Sequence, residues 1–437
     1  MVSQEAIERR RLRAAHAWRA DDAGLGDAVV LIGSGSPIGI PGGQDQTYPF
    51  HAHPDYLWLT GRTEAEGVVA FDPTIHERGG WVDFVPEVSE AERVWEGREP
   101  REVPDARLLS DLAGWMAERK DRPLVALGVK ANGVAIDAER SKRLGELLIH
   151  ARRPKDAHEI DLVRRAIAAT AHGFGLLPTM IRPGISERAI QIELEAAIRR
   201  AGADDFGYGT LVGSGPNASV LHFAPSERTI GENELILVDA GGSIGGYTAD
   251  VTRTYGSTKL TGPRRDLYDI VLQTQIRAIE RCRVGITWRD MHTRAAVDLA
   301  EGLIEMGVFR GRAESLVERE AIALFLPHGI GHMVGLGVRD AGGRRPGVEP
   351  GPKCCGVTLR VDLPLEQGYL MTVEPGLYFI RALLDDQRRR ERFADCVDWK
   401  RVDQLLTDGG GIGGVRIEDN ILVTESGPVN LTAAIGK

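Results

Sequence analysis

The stretch VDAGGSIGGYTADVTRTY, residues 238–255, carries Asp239 and Asp250 eleven positions apart on either side of a glycine-laced turn. The apolar run ELILVDAGG ends in Asp239 and two glycines, and YTADVTRTY alternates as a strand does, so the segment predicts a β-hairpin turning near Ile244-Gly245. A turn centred there sets residues 239 and 250 directly opposite each other, with Cβ atoms about 4.5–5.5 Å apart. Two carboxylates that close repel unless a cation bridges them or they share one proton. Spacing alone leaves both solutions open, together with a surface hairpin whose turn slips the pair apart.

Further donors lie downstream. LPHGIGHMVGLGVRD (326–340) holds His328 and His332 within a glycine-rich segment, and TVEPGLY (372–378) places Glu374 at the end of an apolar strand before a Pro-Gly turn. In GVRIEDN (414–420) the strand period of two puts Arg416 and Glu418 on one face, opposite Val415 and Ile417. A guanidinium beside a carboxylate keeps it ionised and fixes its orientation, which supports a metal ligand. Each residue alone has an ordinary explanation, but four carboxylates and a histidine at strand ends and glycine-flanked turns favour a site.

The rest of the chain bounds what that site can serve. With 437 residues, 42% hydrophobic and 27% charged, the chain is long enough for two domains with separate cores. A net charge near -9 gives no broad basic field, so no nucleic-acid or membrane partner is expected, and the clusters Arg9–Arg11 and Arg388–Arg390 read as solvated faces. The first residues read as a charged helix without an apolar signal core, and no 18-residue apolar run follows, so a cytoplasmic location is expected. Cys282, Cys354, Cys355 and Cys396 include no CxxC pair and read as reduced thiols without a catalytic role.

Apolar runs at 28–35, 67–73, 81–86 and 123–129, separated by turns and charged helical stretches, predict an α/β domain through roughly residue 150. A Pro-containing basic turn, ARRPKDA, then leads into a helix with Ile160, Leu162, Val163 and Ile167 at helical spacing, so a boundary is expected near 150–156.

Taken together, Asp239, Asp250, His332 in HGIGH, Glu374 in EPG and Glu418 in RIED resemble the metal ligands of the pita-bread metallopeptidases, the family of methionine aminopeptidase, aminopeptidase P, prolidase and creatinase. TYPFHAHPDYLWLTG (47–61) and RVWEGRE (93–99) are similar to the amino-terminal domain of aminopeptidase P and prolidase, so the resemblance spans most of the chain. It implies an α/β amino-terminal domain of the creatinase/prolidase type over 1–153, serving dimerisation and substrate selection, then an α+β pita-bread catalytic domain over 154–437. It also implies two divalent ions, with Asp250 and Glu418 bridging, Asp239 completing one ion, and His332 and Glu374 the other. Oxygen-dominated ligation with one imidazole suits Mn²⁺ best, with Co²⁺ or Zn²⁺ as alternatives. By the same resemblance, Glu374 passes a proton from water to the leaving nitrogen, and His222 and His328 hydrogen-bond the reacting amide. Tyr378 matches a tyrosine near the metals, and Trp95 one that a neighbouring subunit inserts, implying a homodimer.

The expected substrate is a peptide with proline after the scissile bond. The segment between Glu374 and RIEDN is a long insert resembling prolidase, and Arg360 falls where prolidase grips a dipeptide carboxylate. These favour an Xaa-Pro dipeptidase, with aminopeptidase P as the alternative and a non-catalytic peptide-binding module as the rival from another class. Phosphotriester hydrolysis is a conceivable side activity. GLGVRD departs from the family's GLDVHD: Arg339 replaces a histidine that contacts substrate, and could supply a second carboxylate-binding or oxyanion-stabilising cation.

Overall fold

The computed structural model describes residues 2–20, 24–75, 77–99, 103–129 and 134–437. The chain divides into two units, one running through Arg152 and including Arg345–Val348, the other comprising Arg153–Arg344 and Glu349–Lys437.

In the first unit the short apolar runs become strands Val29–Gly33, Val68–Phe71, Trp81–Val85 and Leu124–Leu127. With Arg107–Leu108 they form a five-stranded mixed sheet, in which Val29–Gly33 pairs antiparallel with Val68–Phe71 and parallel with Leu124–Leu127. Val29, Leu31, Val68, Ala70 and Phe84 pack with Leu112 and Trp115 as its core. Arg11 and Arg62 converge on the buried Asp83, at 2.7 and 3.0 Å, and hold its carboxyl below the usual range against the opposing effect of burial. The short helix Glu90–Glu96 begins with a capping box between Ser89 and Glu92 and leaves Trp95 85% exposed.

The second unit opens with helix Ala157–Phe174, whose Asp156 cap and Glu159 satisfy each other's backbone donors. Leu162, Val163, Ala166 and Ile167 recur at helical spacing and are buried, which is why this charged stretch settles as an amphipathic helix. Helices Glu187–Arg200, Pro263–Arg281 and Trp288–Glu305 follow. The site is carried by small antiparallel sheets, chiefly Leu211–Ser214, Leu235–Ala240 and Val251–Gly256 in one, and Leu370–Val373, Asp419–Thr424 and Gly427–Asn430 in another.

Two local expectations are corrected. The hairpin turns at Gly245-Gly246, both at positive φ (58° and 83°), as a two-residue primed turn requires. Moving the turn centre by one residue moves the register by two: Asp239 pairs with Thr252, and Asp250 falls across from Gly241. The two aspartates are therefore diagonal neighbours on one face rather than directly opposed. Gly241 has a steric reason to be glycine, because a Cβ there would lie 1.8 Å from the Ala249 carbonyl oxygen. Secondly, GVRIEDN is not one strand: Gly414–Arg416 ends before Ile417-Glu418, and Asp419–Thr424 begins in a different sheet.

Candidate metal centre

All five carboxylate and imidazole side chains singled out in the sequence come together, buried, in the second unit. Asp239 sits near the end of strand Leu235–Ala240, Asp250 immediately before Val251–Gly256, Glu374 immediately after Leu370–Val373, and Glu418 in the break between strands. Strand ends suit this work because the sheet fixes the backbone while the side chain projects past the last ladder bond. His332 is aligned by its neighbours: its backbone N–H donates to Thr372 Oγ1 at 3.0 Å, and its Nδ1–H faces the Met333 carbonyl at 2.9 Å. That leaves Nε2 turned to the acids, 3.4 Å from Asp250 Oδ2 and 3.7 Å from Glu374 Oε1.

The electrostatics are unbalanced. Burial, and then the neighbouring Asp250 and Glu374, push the Glu418 carboxyl well above its ordinary range. Glu374 is raised by burial despite His332 and Arg416, and Asp239 by burial and Asp250 despite Arg416. Burial disfavours a charged His332, but Asp250 and Glu374 outweigh it and raise its pKa. Asp239, Glu374, Glu418 and His332 thus each hold a proton more tightly than the free side chain does.

Divalent cations fit this donor set. Ligand atoms of Asp250, His332 and Glu418 lie within 4.8 Å of one another. Glu374 Oε1 is buried and makes no hydrogen bond among the described residues. Four carboxylates with one imidazole are the donors preferred by hard or borderline divalent ions.

Around the donors runs a hydrogen-bonded frame. Arg416 pairs through Nη2 with Asp239 Oδ2, while its Nε donates to Thr252 Oγ1 at 3.0 Å and its Nη1 to the Tyr378 hydroxyl at 3.1 Å. Arg416 was expected to hold Glu418; it holds Asp239 directly and reaches Glu418 through Thr252, whose hydroxyl donates to Glu418 Oε2 at 2.7 Å. The strand break after Arg416 is the reason. The Tyr378 hydroxyl lies 2.9 Å from His328 Nε2, and His328 Nδ1 lies 2.8 Å from the Gly329 carbonyl. Burial pushes His328 down to about 3 and Tyr378 up to about 12, so both are neutral near pH 7, with Tyr378 donating to Nε2.

A cavity of about 410 Å³ opens onto the acids and is also lined by His222, His328, Val338, Arg339 and Arg360. His222 and Arg339 are exposed at this cavity. Arg360 is 37% exposed, and its Nη1 lies 3.8 Å from Glu374 Oε1. Trp95 belongs to the first unit and does not line this cavity.

Three residues at the centre escaped the reading of the sequence. The Tyr208 hydroxyl lies 2.5 Å from Asp239 Oδ1 and 2.6 Å from Asp250 Oδ1. Thr252 links Arg416 to Glu418, and Asn420 fixes the Asp250 backbone through both its N–H and its carbonyl. The signal for Tyr208 was its glycine-flanked setting in FGYG; Thr252 carried none, since threonine is ordinary in a strand.

Comparison with known proteins decides the family. Residues 161–425 match the metallopeptidase family M24 model, and residues 7–110 match the aminopeptidase P N-terminal domain model. The chain belongs to metallopeptidase family M24. It is 30% identical over 444 aligned residues to a probable Xaa-Pro aminopeptidase of Ajellomyces capsulatus strain H143, covering 96% of this chain and 92% of the relative. It is 31% identical to one of Aspergillus fumigatus, covering 94% and 89%. Pseudomonas aeruginosa aminopeptidase PepP superposes with a TM-score of 0.78 at 25% identity, covering 100% of this chain and 96% of that one. Escherichia coli aminopeptidase P in its low-pH form gives the same values. This M24 chain is thus an enzyme, a metal-dependent peptidase of pita-bread fold, and its family binds divalent ions in a dinuclear site. Among the described residues no helix is long and apolar enough to cross a membrane.

Proposed function

We propose that this protein is an Xaa-Pro aminopeptidase, releasing the first residue of peptides whose second residue is proline. The observation that carries the reading is the match to the aminopeptidase P N-terminal domain ahead of an M24 unit in which all five donor residues converge. The relatives named probable Xaa-Pro aminopeptidases span nearly the whole chain, and they favour this reading over the dipeptidase expected from the insert and Arg360.

In this proposal Asp239, Asp250, His332, Glu374 and Glu418 would together hold two divalent ions, Mn²⁺ by choice of donors. The chemistry supplied there when the ions are bound is acidification of water and polarisation of the scissile carbonyl. Glu374 takes a proton at Oε1, which makes no hydrogen bond among the described residues, and delivers it to the leaving nitrogen. Arg416, locked by Asp239, Thr252 and Tyr378, opposes protonation of Asp239 and fixes its orientation. Exposed His222 contacts the reacting amide, neutral His328 holds the Tyr378 hydroxyl in place through Nε2, and Arg339 and Arg360 contribute cations at the substrate side of the cavity. The 85% exposed Trp95 supports a homodimer in which a second copy covers it.

A second reading, the Xaa-Pro dipeptidase, keeps one specific observation in its favour: Arg360 lies in the cavity, where it could clamp a carboxylate one residue beyond the scissile bond. Hydrolysis of Ala-Pro-Ala against Ala-Pro with Mn²⁺ present separates the two. Efficient release of alanine from the tripeptide is the expected result, and turnover of the dipeptide alone reverses the assignment.

A further inference from the structure

Helix Trp288–Glu305, capped by Thr287, presents His292 and Thr293 in its first turns. Opposite them the chain reverses between Cys354 and Val357, whose backbone groups bond both ways at 2.8 and 3.0 Å. Cys355 and Gly356 occupy the turn at φ 52° and 87°. The left-handed region is one a cysteine rarely adopts, and the turn sets both thiols beside His292. The two Sγ atoms are 3.8 Å apart, and ligand atoms of His292, Cys354 and Cys355 all lie within 4.8 Å of one another.

The geometry suits one particular occupant. A tetrahedral ion with Zn–S bonds of about 2.3 Å spaces two sulfurs by about 3.8 Å. His292 is fully buried; the Cys354 backbone acts on its ring, yet neither ring nitrogen reaches hydrogen-bond geometry with a partner among the described residues. An imidazole so placed lacks the partners that a core histidine finds. We propose that His292, Cys354 and Cys355 bind a single Zn²⁺-class ion, with solvent in the fourth position on the half-buried Cys355 side.

Burial pushes His292 down to about 4, so the ring is a neutral ligand near pH 7. The Cys355 sulfhydryl draws the Cys354 thiol down, and Cys354 pushes Cys355 up in return, so the pair shares one proton that a bound ion would displace. Thr293 Oγ1, 3.4 Å from Cys354 Sγ, and the Arg289 carbonyl, 3.9 Å from it, complete the polar surroundings. Two sulfurs and a nitrogen select softer ions than the oxygen-rich centre does, so the two sites sort metals between them. An ion here would tie the turn that precedes Arg360 to helix Trp288–Glu305.

Cobalt separates the sites, because only the thiolate site gives a near-ultraviolet thiolate-to-Co²⁺ charge-transfer band. The full-length protein, stripped of metal and reduced, is titrated with Co²⁺ and then Zn²⁺. The expected result is a band that saturates at one ion per chain, bleaches with Zn²⁺, survives Asp250→Ala, and disappears in Cys354→Ser and in Cys355→Ser. His292→Asn should weaken the Co²⁺ affinity at least about tenfold. The proposal is overturned by a wild-type protein that shows no band while all of its thiols titrate as reduced, a test that depends on no variant folding. It is equally overturned by a band that persists in both serine variants, or by the two thiols closing on each other as a disulfide under reducing conditions.

Discussion

Glu418 and Asp419 are neighbours in sequence, both buried, and could hardly be treated more differently. Asp419 is saturated: Arg253 Nη2 donates at 2.8 Å, Lys437 Nζ at 2.7 Å, Gln275 Nε2 at 2.8 Å and Thr432 Oγ1 at 2.7 Å. Burial works against its charge, but Arg253 and Lys437 prevail, and its carboxyl sits far below the usual range. Glu418 faces the other way, into Asp250, Glu374 and Asp239, with Thr252 as its donor, and is pushed well up. One face of these strands supplies every positive charge its carboxylate needs; the other gathers acids and leaves the balance to be met from outside. That asymmetry separates a structural ion pair from a metal centre when both are buried and both are rich in hydrogen bonds.

Asp250→Ala should break the functional face outright, reducing peptide turnover to background and lowering bound metal measured by atomic emission, while the protein remains folded by circular dichroism. Retained turnover would refute Asp250 as a ligand of the ions. Asp419→Ala should do the reverse, costing about 3–5 kcal/mol in denaturant unfolding because Arg253 is left buried without its partner, while the folded fraction keeps its metal content. Arg416→Lys removes a fork that engages three groups at once, and a fall of about 10–100-fold in kcat/KM is expected.

The two faces also titrate with opposite sign. In metal-free protein Asp239, Glu374 and Glu418 have raised pKa values, so their contribution favours folding in acid and is lost as pH rises through the folded-state values. Asp419 is depressed, so its contribution is present above the ordinary carboxylate range and lost only in strong acid. Metal removal with a chelator should therefore lower the melting temperature more at roughly pH 8 than at roughly pH 5. Equal shifts at both would show that the acids are not protonated when empty. The smallest effect expected is that of Arg339→His, a change of less than about tenfold in preference between Xaa-Pro and non-proline peptides. An unchanged kcat/KM across such a panel removes Arg339 from substrate recognition.

Much of this site was legible because metal ligands are chemically conspicuous: acids at the ends of apolar runs have few other reasons to be there. What could not be read was register. Asp239 and Asp250 were expected to face each other directly, and placing the turn one residue early turned a diagonal pair into an opposed one; periodicity reports which face a side chain takes, not which partner it meets. Arg416 was tied to Glu418 for a similar reason, since the alternation in GVRIEDN gave no hint that the strand breaks at Ile417 and hands Arg416 to Asp239. In the first unit the apolar runs at 28–35, 67–73, 81–86 and 123–129 mark the strands well, because strands with buried side chains on both faces read as continuous hydrophobic stretches. The His292–Cys354–Cys355 cluster was illegible for the opposite reason, since His292 lies some sixty residues before the two adjacent cysteines without any motif spacing.

The glycine pair at the hairpin tip has a consequence for how such a chain can drift. Asp239 and Asp250 share a face only because the two-residue loop sets Thr252 opposite Asp239, which leaves Asp250 an even step of two positions from that partner. Replacing side chains along the hairpin leaves that count alone, whereas inserting or deleting one residue there points Asp250 away from its partners. The interval is a ruler: it tolerates rewriting, and it accepts changes of length only in matched pairs.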